Sequence, residues 1–103
     1  NRFRLRHRKE AIMKVVVFNV KRKWFDKIRA GEKTHEYRLA TPYWESRLRF
    51  ADVAEFRLGY PANTDTDNIM GFEIAGITKI NGKNTDLAVD AEVFDIELGK
   101  RLE

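Results

Sequence analysis

The chain of 103 residues has no cysteine, and it has only two histidines and two prolines. The lack of cysteine excludes disulfide bonds and zinc sites built on thiolates. His7 and His35 lie far apart without a partner at a metal-ligand spacing, so we expect no metal site. The longest apolar run, Val15 to Phe18, is far too short to cross a bilayer or to form a signal-peptide core. We therefore expect a cytoplasmic protein without a membrane partner.

The charged residues are distributed unevenly along the chain. Residues 1–12 carry a formal net charge of +4, which equals the formal net charge of the whole chain. Residues 13–49 carry ten basic and four acidic side chains, whereas residues 50–103 carry five basic and eleven acidic ones. This asymmetry predicts a basic surface beside an acidic one, and a distribution without surface meaning is the alternative.

The first twelve residues differ from the rest, because arginine alternates there with Phe3, Leu5 and His7. We predict that residues 1–12 are a basic tail outside the fold. Cloning-derived or translated upstream sequence is the favoured origin, since Met13-Lys14 is typical of a natural start, and a nucleic-acid-binding arm is the alternative. Leu102-Glu103 is expected to be a cloning remnant. Residues 13–103 are expected to form a single domain.

Apolar patterning predicts one α+β domain. It indicates five strands and a main helix, namely strands over 14–20, 33–39, 52–58, 70–80 and 92–98 and a helix over 21–30. Gly31 is expected to end the helix in a left-handed conformation, and Trp24 and Ile28 are expected to face the core. Thr41-Pro42 is expected to end a strand before a helical turn over 43–48, and the pattern assigns no element to residues 84–90.

Two glycines and one turn add to this pattern. Gly71 and Gly76 are compatible with bulges in a curved strand, and Asn81-Gly82 marks a turn. We therefore predict a small mixed β-barrel of five or six strands, because a doubly wound parallel sheet needs helices between most strands.

A dense cluster of charge follows the predicted helix at residues 31–38. Gly31-x-Lys33-Thr34 fails as a phosphate-binding loop, because that motif needs adjacent Gly-Lys and runs from strand to helix. We expect no cofactor. Glu36 and Arg38 share one face of a strand, and Lys33 at the strand's start is able to join them.

Lysine and arginine together form an anion site, since arginine offers a planar fork and lysine a point charge. Glu36 has three candidate roles: to orient Arg38, to accept a hydrogen bond from a base or amide N–H, or to act as a general base. A solvated ion pair on an exposed strand is the alternative.

These residues carry a resemblance to a known family. Gly31-x-Lys33-x-x-Glu36-x-Arg38 is similar to the G-x-K-x-x-E-x-R signature of ASCH domains (activating-signal-cointegrator homology), which belong to the PUA-like superfamily. The resemblance extends over roughly residues 13–100. It includes the strand-helix opening and four later segments, namely Tyr43-Trp44, Arg47-Leu48, Phe56-Arg57-x-Gly59-Tyr60 with Met70 to Ile77, and Leu98-Gly99-Lys100.

The resemblance implies a PUA-like barrel with a cationic cleft that binds RNA or a modified nucleotide, and Lys33, Glu36 and Arg38 are the implied cleft residues. Aromatic side chains fit that function, because proteins grip single-stranded RNA by stacking its bases. The candidate platforms follow the signature or flank a strand exit, and they are Tyr43, Trp44, Arg57 and Tyr60. For Trp44, a place over the barrel core is an equal alternative.

A hydrolase acting on a modified nucleoside or on RNA is the alternative function. One bacterial branch of the family removes the acetyl group from N4-acetylcytidine and uses the signature lysine with a threonine three residues later, where this chain has Glu36. As an enzyme, the chain would use Lys33 and Glu36 as catalytic groups. Other family members resemble metal-dependent ribonucleases, but Asp65, Asp67 and Glu73 lack an ordered ligand spacing.

Binding is favoured over catalysis. A protein-interaction module is the third possibility, with a basic partner on the acidic C-terminal half. That half includes Asp86, Asp90, Glu92, Asp95 and Glu97.

Overall fold

The computed structural model describes residues 13–62 and 64–102, so the predicted basic tail over residues 1–12 lies outside the described residues. The described residues form a small α+β domain. Its elements follow in the order β1 (Val15–Val20), α1 (Arg22–Arg29), β2 (His35–Leu39), α2 (Pro42–Leu48), β3 (Val53–Leu58), β4 (Ile69–Asn81) and β5 (Glu92–Leu102). Short 3₁₀ turns lie at Thr66–Asn68 and Gly82–Asn84. Neither α1 nor α2 is long and apolar enough to cross a membrane.

The five strands form one curled, mixed sheet in the order β1-β3-β4-β5-β2. β1 and β3 are parallel, and the other neighbours are antiparallel. The register between β4 and β5 shifts between Phe72 and Ile74 and again between Ile74 and Gly76. The irregularity beside Gly76 confirms the curvature predicted there, whereas Gly71 keeps regular partners on both sides. The sheet thus curls far enough for its edge strands, β1 and β2, to border one cleft.

The core lies on the inner face of the curled sheet. Phe18 of β1 and Phe56 of β3 are register partners with ring centroids 5.3 Å apart, and both are fully buried. Phe25 and Ile28 of α1 join the same cluster. Burial of large apolar side chains like these contributes about 1.5–3 kcal/mol each, so this cluster fixes the positions of β1, β3 and α1.

Trp24 departs from the prediction that it faces the core. Phe25 and Ile28 are buried, but Trp24 is only half-buried and borders the cleft. At 100° per residue, Trp24 and Phe25 point in directions 100° apart around the helix. The core-facing direction lies between Phe25 and Ile28, which leaves the indole at the border of the apolar stripe.

The last strand is longer than predicted. β5 continues to Leu102, which pairs with Gly71 of β4, so Leu102 belongs to the sheet and only Glu103 of the expected remnant lies outside the described residues. The turn predicted at Asn81-Gly82 is confirmed, since the Asn81 side chain accepts a hydrogen bond from the Lys83 N–H. The loop that follows brings Asp86 to Lys33, two residues before β2 begins.

Gly82 provides a test of this hairpin. A Cβ at Gly82 would lie 2.6 Å from Val93 Cγ1 and 3.1 Å from the Val89 carbonyl oxygen. We expect Gly82→Ala to lower the free energy of unfolding in urea by about 1–3 kcal/mol, because the Val93 side chain and the Val89 backbone must both move to admit the methyl group. Gly76→Ala is the control, since its nearest contact would be an ordinary 3.9 Å. Equal effects of the two substitutions would contradict the packing described here.

Candidate nucleic-acid interface

A cleft of about 430 Å³ lies at the unpaired edges of β1 and β2. Three aromatic and five charged side chains line it, namely Trp24, Tyr37 and Trp44 with Lys21, Lys33, Glu36, Arg38 and Asp86. The structure therefore brings together four of the predicted site residues, which are Lys33, Glu36, Arg38 and Trp44.

The end of α1 places Lys33 in this cleft. Gly31 has a φ of +79°, which confirms its predicted left-handed conformation. Its N–H donates to the Ile28 carbonyl at 3.1 Å, and the Glu32 N–H donates to the Lys27 carbonyl at 2.9 Å. This pair of bonds is the Schellman motif, which ends the helix and reverses the chain. Lys33 consequently returns alongside Trp24, with its ammonium 5.4 Å from the indole centroid.

The Lys33 side chain is only 8% exposed, and its ammonium contacts three acceptors. Its ammonium lies 3.4 Å from Glu36 Oε1, donates to the His35 carbonyl at 2.6 Å, and pairs with the Asp86 carboxylate. Burial of a charge this deeply is costly unless it is paired and hydrogen-bonded, and these contacts meet that condition.

Glu36 links Lys33 to Arg38. Its Oε2 accepts hydrogen bonds from Arg38 Nε at 2.9 Å and Nη2 at 2.7 Å, while Oε1 faces Lys33. The predicted common face of Glu36 and Arg38 is confirmed. A solvated pair does not fit, because Glu36 is only 6% exposed. Asp86, Lys33, Glu36 and Arg38 thus form a chain of alternating charge, which we call the ion chain.

Trp44 lies at the other end of the ion chain. Thr41 caps α2 by accepting a hydrogen bond from the Trp44 N–H at 3.3 Å. The indole stacks on Phe18, with centroids 5.4 Å apart and an interplanar angle of 12°. The Arg38 guanidinium lies 4.9 Å from the Trp44 centroid and 5.0 Å from that of Phe18. Trp44 thus packs on the core, as one of its two alternatives predicted, and its indole also lines the cleft.

Three further predicted residues lie elsewhere. Tyr43 is exposed and touches Trp44 edge-on at 5.2 Å, outside the lining of the cleft. Arg57 follows the inward-facing Phe56, so strand alternation points it to the opposite face, where it binds Glu55 at 2.6 Å. Tyr60 is 91% exposed beyond the end of β3.

Of the aromatic and charged side chains that line the cleft, four were missed by the sequence reasoning: Lys21, Trp24, Tyr37 and Asp86. Asp86 lies in the segment without an assigned element, and only the long β4–β5 hairpin carries it to Lys33. The two charged halves of the chain also meet, since Asp86 pairs with Lys33 and Asp95 lies 2.6 Å from His35 Nδ1. At these two points basic and acidic residues from the two halves form pairs.

Tyr37 adds a phenol to the cleft wall. Burial raises the pKa of Tyr37 above its ordinary value of 10.0, and the charges of Asp95, Asp86 and Glu36 raise it further. The phenol therefore remains a neutral hydrogen-bond donor at physiological pH.

The cleft offers donors, acceptors and aromatic faces at close quarters. Three cations and two carboxylates line it, so it suits a planar polar ligand better than a bare polyanion. The ammonium of Lys33 already contacts three acceptors, whereas a lysine nucleophile needs a free lone pair. Among residues 13–62 and 64–102, no three metal-ligating side chains form a cluster.

Comparisons with protein-family models, curated proteins and solved structures return no match. The resemblance to ASCH domains accordingly rests on the residues quoted for it.

Glu36→Gln tests the ion chain. We expect a loss of about 2–3 kcal/mol in the free energy of unfolding, because two cations lose the carboxylate that they share. The loss stays below that of a fully buried pair because water still reaches part of Arg38. Asp26→Asn is the control, since the Arg22–Asp26 pair at 3.5 Å is exposed and should contribute less than about 0.5 kcal/mol. Equal losses of stability in urea denaturation would contradict the claim that the buried Glu36 carboxylate stabilises the fold through its two cations.

Tyr37→Phe tests the raised pKa. Above about pH 10 the unfolded tyrosine ionises before the folded one, so the folded state holds more protons and stability falls as pH rises. We expect the variant to lose less stability than wild type between about pH 9.5 and 11, measured by urea denaturation. Tyr60→Phe is the control and should follow wild type. Parallel curves for wild type and Tyr37→Phe would contradict the assignment.

Proposed function

We propose that this chain is a PUA-like, ASCH-type domain that binds an unpaired or modified nucleobase of single-stranded RNA in the cleft. The observation that supports the proposal is the ion chain, which lies between Trp24 and Tyr37 at one end and Trp44 at the other. The G-x-K-x-x-E-x-R resemblance also supports it, because the three charged positions of that signature are members of the ion chain.

A nucleobase matches the chemistry of this cleft. Its edge carries both N–H donors and carbonyl or ring-nitrogen acceptors, which carboxylate, guanidinium and ammonium groups complement. Its faces stack on aromatic rings, and each such contact contributes about 1–3 kcal/mol. The volume of about 430 Å³ lies within the range of small-molecule sites, about 300–1,000 Å³.

Binding is favoured over hydrolysis because Glu36 and Lys33 are committed to each other and to further partners. A general base needs an accessible lone pair directed at the substrate. Glu36 directs Oε1 at Lys33 and Oε2 at Arg38. In this proposal both residues form the wall of the cleft and hold Arg38 in place, and neither one transfers a proton.

A titration of the full chain tests the proposal. Cytidine, N4-acetylcytidine, and short single-stranded RNA and DNA are added at two salt concentrations, with tryptophan fluorescence as the signal because Trp24 and Trp44 both line the cleft. We expect saturable quenching, and we expect Arg38→Ala to weaken binding at least about tenfold, through loss of a bidentate donor. Arg101→Ala, which removes an exposed arginine from β5, is the control.

Analysis of the ligands after the titration separates binding from hydrolysis. We expect every ligand to be recovered unchanged. Conversion of N4-acetylcytidine to cytidine, lost in Lys33→Arg, would instead favour the hydrolase. Absence of binding to every ligand by the folded protein would contradict the proposal.

A further inference from the structure

A second hollow of about 450 Å³ adjoins the cleft. The two share a wall, formed by Trp24, Lys33, Tyr37 and Asp86. Beyond this wall the second hollow is lined by side chains of α1 and of the segment leading into β2. A ligand that fills the cleft against Trp24 therefore has a second compartment directly beside it.

The second hollow contains one surplus cation. Lys23 and Lys27 lie four residues apart on α1, and both line the hollow. Lys27 lies 3.7 Å from Glu32, and Asp86 is paired with Lys33, so both carboxylates of the hollow have a lysine partner. No carboxylate among the described residues pairs with Lys23.

Lys23 is positioned by the shared wall. Its ammonium lies 4.7 Å from the Trp24 ring centroid, on an indole that borders both compartments. An exposed ammonium without a carboxylate partner keeps its three N–H donors for a ligand, and phosphate oxygens are strong acceptors for it. The cation is thus adjacent to an aromatic surface on which a base can stack.

We infer that the second hollow binds the phosphate of the nucleotide whose base occupies the cleft, with Lys23 as the phosphate ligand. The inference rests on the proposed function and narrows it, since the preferred ligand becomes a nucleotide, free or within a strand, rather than a nucleoside. Lys33 separates the two compartments and remains engaged by Glu36 and Asp86, which leaves Lys23 to supply the charge that the phosphate needs.

The affinity ratio between nucleotide and nucleoside tests this inference. The full chain is titrated with adenosine, cytidine, guanosine and uridine, and with their 3′- and 5′-monophosphates, at low salt. We expect one phosphate position to raise affinity about two- to fivefold, as one exposed charge pair allows. Lys23→Gln should reduce that ratio to about one, and Lys100→Gln, which removes an exposed lysine from β5, should leave it unchanged.

The outcomes separate the inference from the proposed function. Nucleosides that bind wild type as tightly as their monophosphates would overturn the phosphate site and leave the base site standing. A ratio that survives Lys23→Gln would overturn the role of Lys23. Failure of nucleosides and nucleotides alike to bind would overturn the proposed function and the inference with it.

Discussion

The buried carboxylate of Glu36 is the group on which the cleft depends. It lies on the edge strand β2 and contacts two cations, one from each oxygen. Through Arg38 it is linked to Phe18 of β1 and Trp44 of α2, and through Lys33 to the loop that carries Asp86. Without this negative charge, the ammonium and the guanidinium would lose the carboxylate that they share, which we expect to cost about 2–3 kcal/mol of stability.

This arrangement explains how a small domain can hold a polar site open at the edge of its sheet. The apolar cluster around Phe18 and Phe56 fixes the strands, and the ion chain fixes the side chains that border the gap between β1 and β2. Side chains held in this way lose little further conformational freedom when a ligand binds, which favours affinity. The alternating charges also favour ligands with donors and acceptors in one plane over simple anions. In the proposed function, that property selects a nucleobase. In the further inference, Lys23 beside the cleft binds the phosphate of the same nucleotide.

Local patterns in the sequence were sufficient to predict most of the elements. Strand alternation placed Glu36 and Arg38 on one face, and Gly31 marked the end of α1, because both properties depend on neighbouring residues only. Trp24 was wrongly predicted to face the core. Its four-residue spacing to Ile28 is the same whether the indole lies within the apolar stripe of the helix or at its border. Asp86 could not be found, since its contact with Lys33 spans 53 residues and depends on the length of the β4–β5 hairpin. Arg57 and Tyr60 were grouped with the site because both lie near the end of a strand. Strand alternation turns Arg57 to the other face of β3, and Tyr60 is exposed to solvent beyond the end of that strand.

Chemical-shift mapping by NMR tests the central claim most directly, because it reports the site of binding residue by residue. The protein is labelled with ¹⁵N and titrated with a single-stranded oligoribonucleotide. The account predicts that the indole Nε1–H signals of Trp24 and Trp44 and the Nε–H signal of Arg38 shift together, while the Nε–H signal of Arg57 stays in place. Shifts centred on Tyr60 or Arg57, with the two indoles and Arg38 unmoved, would contradict a ligand site built on Glu36 and its two cations.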